Sequence, residues 1–228
     1  MAQRALATAI LAALLIPAAH LAWVARDMPH LGHLHDDSIY WVAAKSLAQG
    51  HGYRILSLPQ QPFETKYPPL FALALSLIWK LNPRFPENLQ LATVFAWVWL
   101  PIFLTLAWRW FSRAGFEIRG RIALCAVPAL SPWVVFLSTT LMSELMFSSL
   151  LLAALLSTEK ACGDNHTRWA CVAGILAALA YLTKAAALPL IVTAPLWLIL
   201  RRRYQAAASF VVTMLPAVAW WTCGRMST

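Results

Sequence analysis

The sequence contains few charged residues and especially few acidic ones. Asp, Glu, Lys and Arg make up 12% of its 228 residues, only nine residues are acidic, and 61% are hydrophobic. A soluble globular domain carries about twice that share of charged side chains, so that class is excluded. Repeated apolar runs of about 20 residues, long enough to cross ~30 Å of hydrocarbon, indicate an integral membrane protein instead.

Other scarcities narrow the class further. The four cysteines show no Cys-x-x-Cys spacing and lie in or beside apolar runs, which is typical of small apolar filler. Alternating polar and apolar residues are absent, and lipid tolerates no unpaired backbone, so the predicted fold class is all-α, a polytopic transmembrane helix bundle. The net charge of +9 does not indicate a nucleic-acid partner, because the arginines sit at the ends of apolar runs, as topology signals do.

The apolar runs predict one transmembrane domain over residues 1–228 with seven spans. We place these spans at residues 5–25, 88–110, 121–138, 141–158, 168–183, 185–200 and 205–222. Residues 26–87 then form a long first extracytoplasmic loop. The positive-inside rule puts the short Lys/Arg-rich loops in the cytoplasm, and therefore puts residues 138–143 and the turn at Lys184 on the same outer side as the long loop.

Two juxtamembrane helices are predicted inside this loop. Ser38–Gln49 has apolar residues on one face and glycines after it. Pro68–Leu81 is apolar, but fourteen residues of helix reach only ~21 Å, which is too short to cross. We expect the second segment to lie along or dip into the outer membrane surface.

The loop also concentrates the carboxylates, which marks it as the place to look for chemistry. It holds five of the nine acidic residues: Asp27, Asp36, Asp37, Glu64 and Glu87. Asp36 and Asp37 precede the first predicted helix, so they either cap its free backbone N–H groups or supply a general base. His33 and His35 come just before the pair, and with Glu64 they form a candidate ligand set for a divalent metal.

Three further ionisable residues stand out. Lys66, two residues after Glu64, is a candidate point charge for a phosphate group at the membrane surface, unless the segment is only a solvated turn. In the first case Glu64 would be either a metal ligand or an orienting group. Glu144 and Lys184 lie at the ends of predicted spans, where charged groups usually face a cavity or pair, although Lys184 could also extend to the interface. We expect Asp36, Glu64, Lys66 and Glu144 to face one water-accessible cavity.

Several short motifs occur in a fixed order along the chain. They are Asp36-Asp37-x-x-Tyr40, Ala44-x-x-Leu47-x-x-Gly50 with Tyr53, Lys66-Tyr67-Pro68-Pro69-Leu70, Ser143-Glu144, and the segment from Ala173 to Lys184. This ordered set resembles the GT-C superfamily of membrane glycosyltransferases, in particular the bacterial branch related to protein O-mannosyltransferases and aminoarabinose transferases. The likeness extends over essentially the whole chain.

The resemblance implies transfer of a sugar from a polyprenyl-phosphate-linked donor to a glycan, lipid or protein acceptor at the outer face of the bacterial cytoplasmic (inner) membrane. It implies that Asp36 is the catalytic base, although Asp37 replaces the commoner Glu and leaves the assignment between the two open. Lys66 would contact the donor phosphate and Glu64 would help to hold a metal. Glu144 corresponds to a second acidic position of the family.

Three more residues join the predicted donor-binding set: Tyr40, Tyr67 and Lys184. Relatives carry more spans and often a carboxy-terminal periplasmic domain, so the chain is expected to correspond to the amino-terminal part of such an enzyme. Two alternatives use the same scaffold: a non-catalytic subunit that binds the lipid-linked sugar, and a transporter. The absence of a convincing internal repeat disfavours transport.

Overall fold

The computed structural model describes residues 2–26, 30–163 and 166–226, so that Asp27 lies outside the described residues. The described residues form eleven α-helices and a short 3₁₀ turn, with no β-strand among them. This confirms the all-α class. The chain divides into two compact units, Met1–Gln61 with Ala72–Leu145, and Pro62–Phe71 with Met146–Thr228.

The first unit contains the amino-terminal helices and the long central helix. Its elements are α1 (Ala2–Leu14), α2 (Ile16–Val24), α3 (His35–Ala48), nearly all of α4 (Leu70–Leu81), α5 (Asn88–Arg113), α6 (Ile118–Leu130) and α7 (Pro132–Leu137). α2 packs against α5 and α7, and α5 packs against α6. The α4 helix begins directly after Pro68 and Pro69, as the sequence predicts.

The second unit contains the carboxy-terminal helices. Its elements are most of α8 (Glu144–Lys160), α9 (His166–Thr183), the 3₁₀ turn Ala185–Ala187, α10 (Leu188–Leu200) and α11 (Tyr204–Met226). Small residues let α9 approach α11 closely, and Phe210 and Met214 pack against the buried alanines of α9. At Gly174, an added Cβ would overlap the Thr213 hydroxyl and the Phe210 carbonyl, so only glycine fits this crossing.

In the part of the chain that the structure describes, three helical segments are long and apolar enough to cross a membrane: Leu6–Val24, Asn88–Arg113 and Tyr204–Gly224. The prediction of seven spans is therefore met only in part. The predicted span at residues 121–138 is divided between α6 and α7, because the ring of Pro132 cannot continue a helix from Ser131. The predicted span at 185–200 contains a 3₁₀ turn before α10 begins at Leu188.

Candidate functional site

The start of α3 carries the first candidate residues, and it lies three residues earlier than predicted. The helix begins at His35 instead of Ser38, so both aspartates stand in its first turn and not before it. Asp37 is fully buried. Its Oδ2 accepts hydrogen bonds from the backbone N–H groups of Gly32 (3.0 Å) and Leu34 (3.3 Å), while its Oδ1 accepts one from the Ser38 hydroxyl (2.9 Å).

This arrangement makes Asp37 the cap of α3. Leu34 is the N-cap residue but has no polar side chain, so a carboxylate from the third helical position reaches back to its N–H. A buried carboxylate that accepts three hydrogen bonds is held in place and cannot move to a substrate without losing them. Asp36, its neighbour, is only half-buried. The two carboxylates therefore have different environments: Asp37 is enclosed by the protein, whereas part of Asp36 remains exposed.

Two side-chain contacts attach α3 and the segment just before it to residues 139–143. The Tyr40 hydroxyl lies 3.1 Å from Ser143 Oγ, and His30 Nδ1 lies 2.9 Å from Thr139 Oγ1. Asp36 and Tyr40 are four residues apart on α3 and so share a helix face. Glu144, next to Ser143, is the first residue of α8. The first unit thus brings the motifs Asp36-Asp37-x-x-Tyr40 and Ser143-Glu144 together through the Tyr40–Ser143 contact.

Histidines line the approach to α3. The rings of His30 and His33 lie 5.4 Å apart edge to face, and His30 also contacts Phe136 at 5.3 Å. Because Thr139 Oγ1 already donates to the Phe136 carbonyl, His30 Nδ1 is the donor in its bond to Thr139. Burial lowers the pKa of His30 below 6.5, and the nearby His33 lowers it further. The neutral form of His30 is the favoured one.

The candidate metal set finds no structural support. Within residues 2–26, 30–163 and 166–226, no three His, Cys, Asp or Glu side chains form a group that could hold a metal ion. His33 and His35 are both exposed in the first unit.

Glu64, Lys66 and Tyr67 form a compact turn in the second unit. Glu64 is buried, with 4% of its surface exposed. Its Oε1 accepts hydrogen bonds from the backbone N–H groups of Lys66 (2.5 Å) and Tyr67 (3.0 Å). Between the two sequence interpretations of Glu64, this geometry favours the orienting group over the metal ligand. The Lys66 side chain is exposed, and its Nζ lies 4.6 Å from the centre of the Tyr67 ring.

Lys184 lies at the predicted break between two helices of the second unit. α9 ends at Thr183, and Lys184 has an extended backbone (φ −154°, ψ 128°) before the 3₁₀ turn. Its carbonyl accepts the Ala187 N–H at 3.1 Å, and its side chain is half-buried.

The chain was compared with protein-family models, with curated protein sequences and with solved structures. Nothing matched. The function is therefore inferred from the arrangement of residues described above.

The sequence did not indicate the contacts between the end of α7 and the segment before α3. Thr139 is the main example, although a run of hydroxyl residues at the end of an apolar segment is typical of a polar surface. The hydroxyls of Ser138, Thr139 and Thr140 donate to the carbonyls three residues earlier and so cap the end of α7. Tyr40, predicted to touch substrate, is buried and bonded to Ser143.

The first unit offers a half-buried carboxylate, Asp36, in a helix turn that Asp37 fixes by hydrogen bonds. A carboxylate in such a place can accept a proton from a substrate hydroxyl. The second unit offers an exposed ammonium group on a turn that Glu64 holds rigidly. An ammonium group of this kind can neutralise a phosphate as a point charge.

Proposed function

We propose that this chain is a membrane glycosyltransferase that moves a sugar from a polyprenyl-phosphate-linked donor to an acceptor at the outer face of the cytoplasmic membrane. One observation carries the proposal: the Tyr40–Ser143 contact joins two motifs, 103 residues apart, that the sequence alone singles out as functional. We infer the reaction class from the order of the motifs along the chain. We infer the separate roles of Asp36 and Asp37 from their different environments.

In the proposed reaction, Asp36 takes the proton from the acceptor hydroxyl while that oxygen attacks the anomeric carbon of the sugar. The new carbon–oxygen bond forms as the bond to the donor phosphate breaks, and the electron pair leaves on the polyprenyl phosphate. Such a direct displacement inverts the anomeric centre. General-base catalysis of this kind contributes about 10²–10⁴-fold to the rate.

Asp37 is assigned a positioning role. By holding the backbone of Gly32 and Leu34, it fixes the first turn of α3 and with it the direction of the Asp36 side chain. The buried carboxylate of Glu64 acts in the same way on the segment that carries Lys66. Lys66 is assigned to the donor phosphate, whose charge is present both before and during the reaction.

The proposal includes a bacterial inner-membrane location and seven spans. Among the described residues, three helical segments meet the length and hydropathy of a span. α8 has 17 residues and α9 has 18, which correspond to about 25–27 Å of helix, close to the thickness of the hydrocarbon layer. We assign the four remaining crossings to these two helices, to α6 with α7, and to the 3₁₀ turn with α10.

The test is a transfer assay in membranes that contain the protein, with a radiolabelled polyprenyl-phosphate sugar as donor and endogenous acceptors. The wild-type chain should transfer label, and Asp36→Asn should lower turnover by about 10²-fold or more while donor binding is kept. Lys66→Ala should weaken donor binding as well as turnover, because the phosphate charge is present in the ground state.

Two results would contradict the proposal in different ways. Donor binding by the wild-type chain without any transfer would identify a non-catalytic subunit for the lipid-linked sugar. Transfer that persists unchanged in both Asp36→Asn and Asp37→Asn would show that these carboxylates only cap the helix.

A further inference from the structure

One end of the second unit gathers basic side chains from three segments of the chain. They are Lys160 at the end of α8, Arg168 in the first turn of α9, and Arg201, Arg202 and Arg203 in the turn between α10 and α11. We call these five residues the basic end. The four arginines are exposed, and the lysine is half-buried.

Polar contacts hold the three segments next to one another. The Arg203 guanidinium donates to the Cys162 carbonyl at 2.7 Å, which attaches the turn to the residues that follow α8. His166 Nε2 lies 3.4 Å from Gln205 Oε1, so the start of α9 meets the start of α11. The fold therefore groups basic residues that lie far apart in the sequence.

The basic end lies beside a helix that can cross a membrane. The segment Tyr204–Gly224 has the length and hydropathy of a span, and it begins directly after the three arginines of the turn. Leu200 is 81% exposed and Tyr204 is 64% exposed, so apolar surface flanks these arginines on both sides. A turn in this position lies at the level of the lipid headgroups.

Two tryptophans support the same placement. The Lys160 ammonium lies 4.0 Å from the centre of the Trp169 ring, and the Arg201 guanidinium lies 5.4 Å from the centre of the Trp197 ring. Tryptophan is enriched at the interface between membrane and water. The cation–π contacts therefore keep these two positive charges at the interface.

The basic end carries more positive charge than the acidic residues of the same segments can neutralise. Residues 159–168 and 200–205 contain five basic residues and two acidic ones, Glu159 and Asp164. Asp164 lies outside the described residues. Even if each carboxylate neutralises one cation, three positive charges remain. Such an excess at headgroup level attracts anionic lipid.

We propose that the basic end binds the headgroups of anionic membrane phospholipids. The acyl chains lie beside Leu196 and Leu200, which are four residues apart on α10 and are both more than half exposed. The positive-inside rule concerns only how many basic residues a loop contains, whereas this binding surface depends on the fold that groups three segments. The proposal rests on a membrane crossing by α11 and not on the transferase activity proposed above.

The experiment measures which lipids the purified full chain retains in detergent, by native mass spectrometry. Phosphatidylglycerol and phosphatidylcholine with equal acyl chains are added in equal amounts. The wild-type chain should prefer phosphatidylglycerol by about 10²-fold, which corresponds to three excess charges at about fivefold each. Arg168→Gln and Arg202→Gln should each lower this preference about fivefold, and the double variant about 25-fold. Arg203 is left unchanged because its bond to Cys162 holds the turn.

Two control variants separate the position of the charge from its presence. Arg168→Lys/Arg202→Lys keeps both charges and should keep the wild-type preference. Lys80→Gln/Arg84→Gln removes two charges from exposed residues of the first unit and should also leave the preference unchanged. If the double glutamine variant does not fold, the two single variants decide the question.

Four outcomes would overturn the inference. One is a wild-type chain without a preference for phosphatidylglycerol, and another is a double glutamine variant with the wild-type preference. A third is displacement of the lipid by an equal concentration of glycerol phosphate, which would identify a site for a soluble phosphate. The last is retention of a polyprenyl phosphate in place of phosphatidylglycerol, which would identify part of a donor path. None of these results depends on whether sugar is transferred.

Discussion

Removal of the Asp37 carboxylate should destabilise the first unit, and the structure gives the size of the effect. Asp37→Ala removes the acceptor of three hydrogen bonds. A hydrogen bond to a charged group contributes about 1.5–3 kcal/mol to stability. Gly32 is exposed and the Ser38 hydroxyl can rotate, so water replaces part of what is lost. We therefore expect a total loss of about 2–3 kcal/mol in the free energy of unfolding, near the upper end for a lost helix cap.

The assay is thermal or denaturant unfolding of the purified protein in detergent, followed by tryptophan fluorescence. Asp37→Asn keeps one acceptor oxygen, so it should cost less, about 1 kcal/mol. Asp36→Ala is the matched control: its side chain stands in the same first turn but is only half-buried, and its loss should cost less than about 1 kcal/mol. A larger loss for Asp36→Ala than for Asp37→Ala would refute the assignment of the cap.

Three other predictions follow from named contacts. Gly174→Ala should destabilise the second unit by about 1–3 kcal/mol through overpacking, whereas Gly224→Ala, whose added Cβ meets nothing within 4 Å, should be neutral or slightly stabilising in the same unfolding assay. Because the pKa of His30 is lowered in the folded protein, the unfolded chain binds a proton at a higher pH, and stability should fall as pH drops from about 7.5 to about 5.5, through the unfolded-state pKa of 6.5. His30→Gln should flatten this dependence of the free energy of unfolding on pH. An unchanged dependence would contradict the prediction. In a cysteine-free background, an impermeant reagent applied from outside should label Ser57→Cys and not Arg203→Cys, and the opposite pattern would reverse the predicted topology.

The sequence predicts the helical class and the short helix after Pro68-Pro69 because both depend on local patterns. The boundary of α3 was misplaced for a specific reason. An N-cap is normally recognised by its own polar side chain, but here the N-cap residue is Leu34 and the capping oxygen comes from Asp37, inside the helix. An acidic residue at the third position of a candidate helix is the signal that would have corrected the start.

The breaks inside the predicted spans were harder to predict than the helices themselves. Apolar composition continues through Ser131-Pro132, so hydropathy alone predicts one continuous helix where Pro132 separates α6 from α7. Contacts between residues far apart in the sequence could not be predicted from local patterns. Nothing local to Tyr40 or Ser143 indicates that their hydroxyls meet at 3.1 Å, because that contact depends on how the first unit folds.

The separate roles of the two aspartates are the centre of this account, and one paired measurement tests them most directly. Asp36→Asn and Asp37→Asn are compared for sugar transfer per folded molecule, with the folded fraction taken from unfolding curves. We expect Asp36→Asn to fold like the wild-type chain and to lose about 10²-fold or more of its turnover. We expect Asp37→Asn to be less stable but to keep most of its turnover per folded molecule. Loss of turnover in Asp37→Asn with full activity in Asp36→Asn would contradict the account.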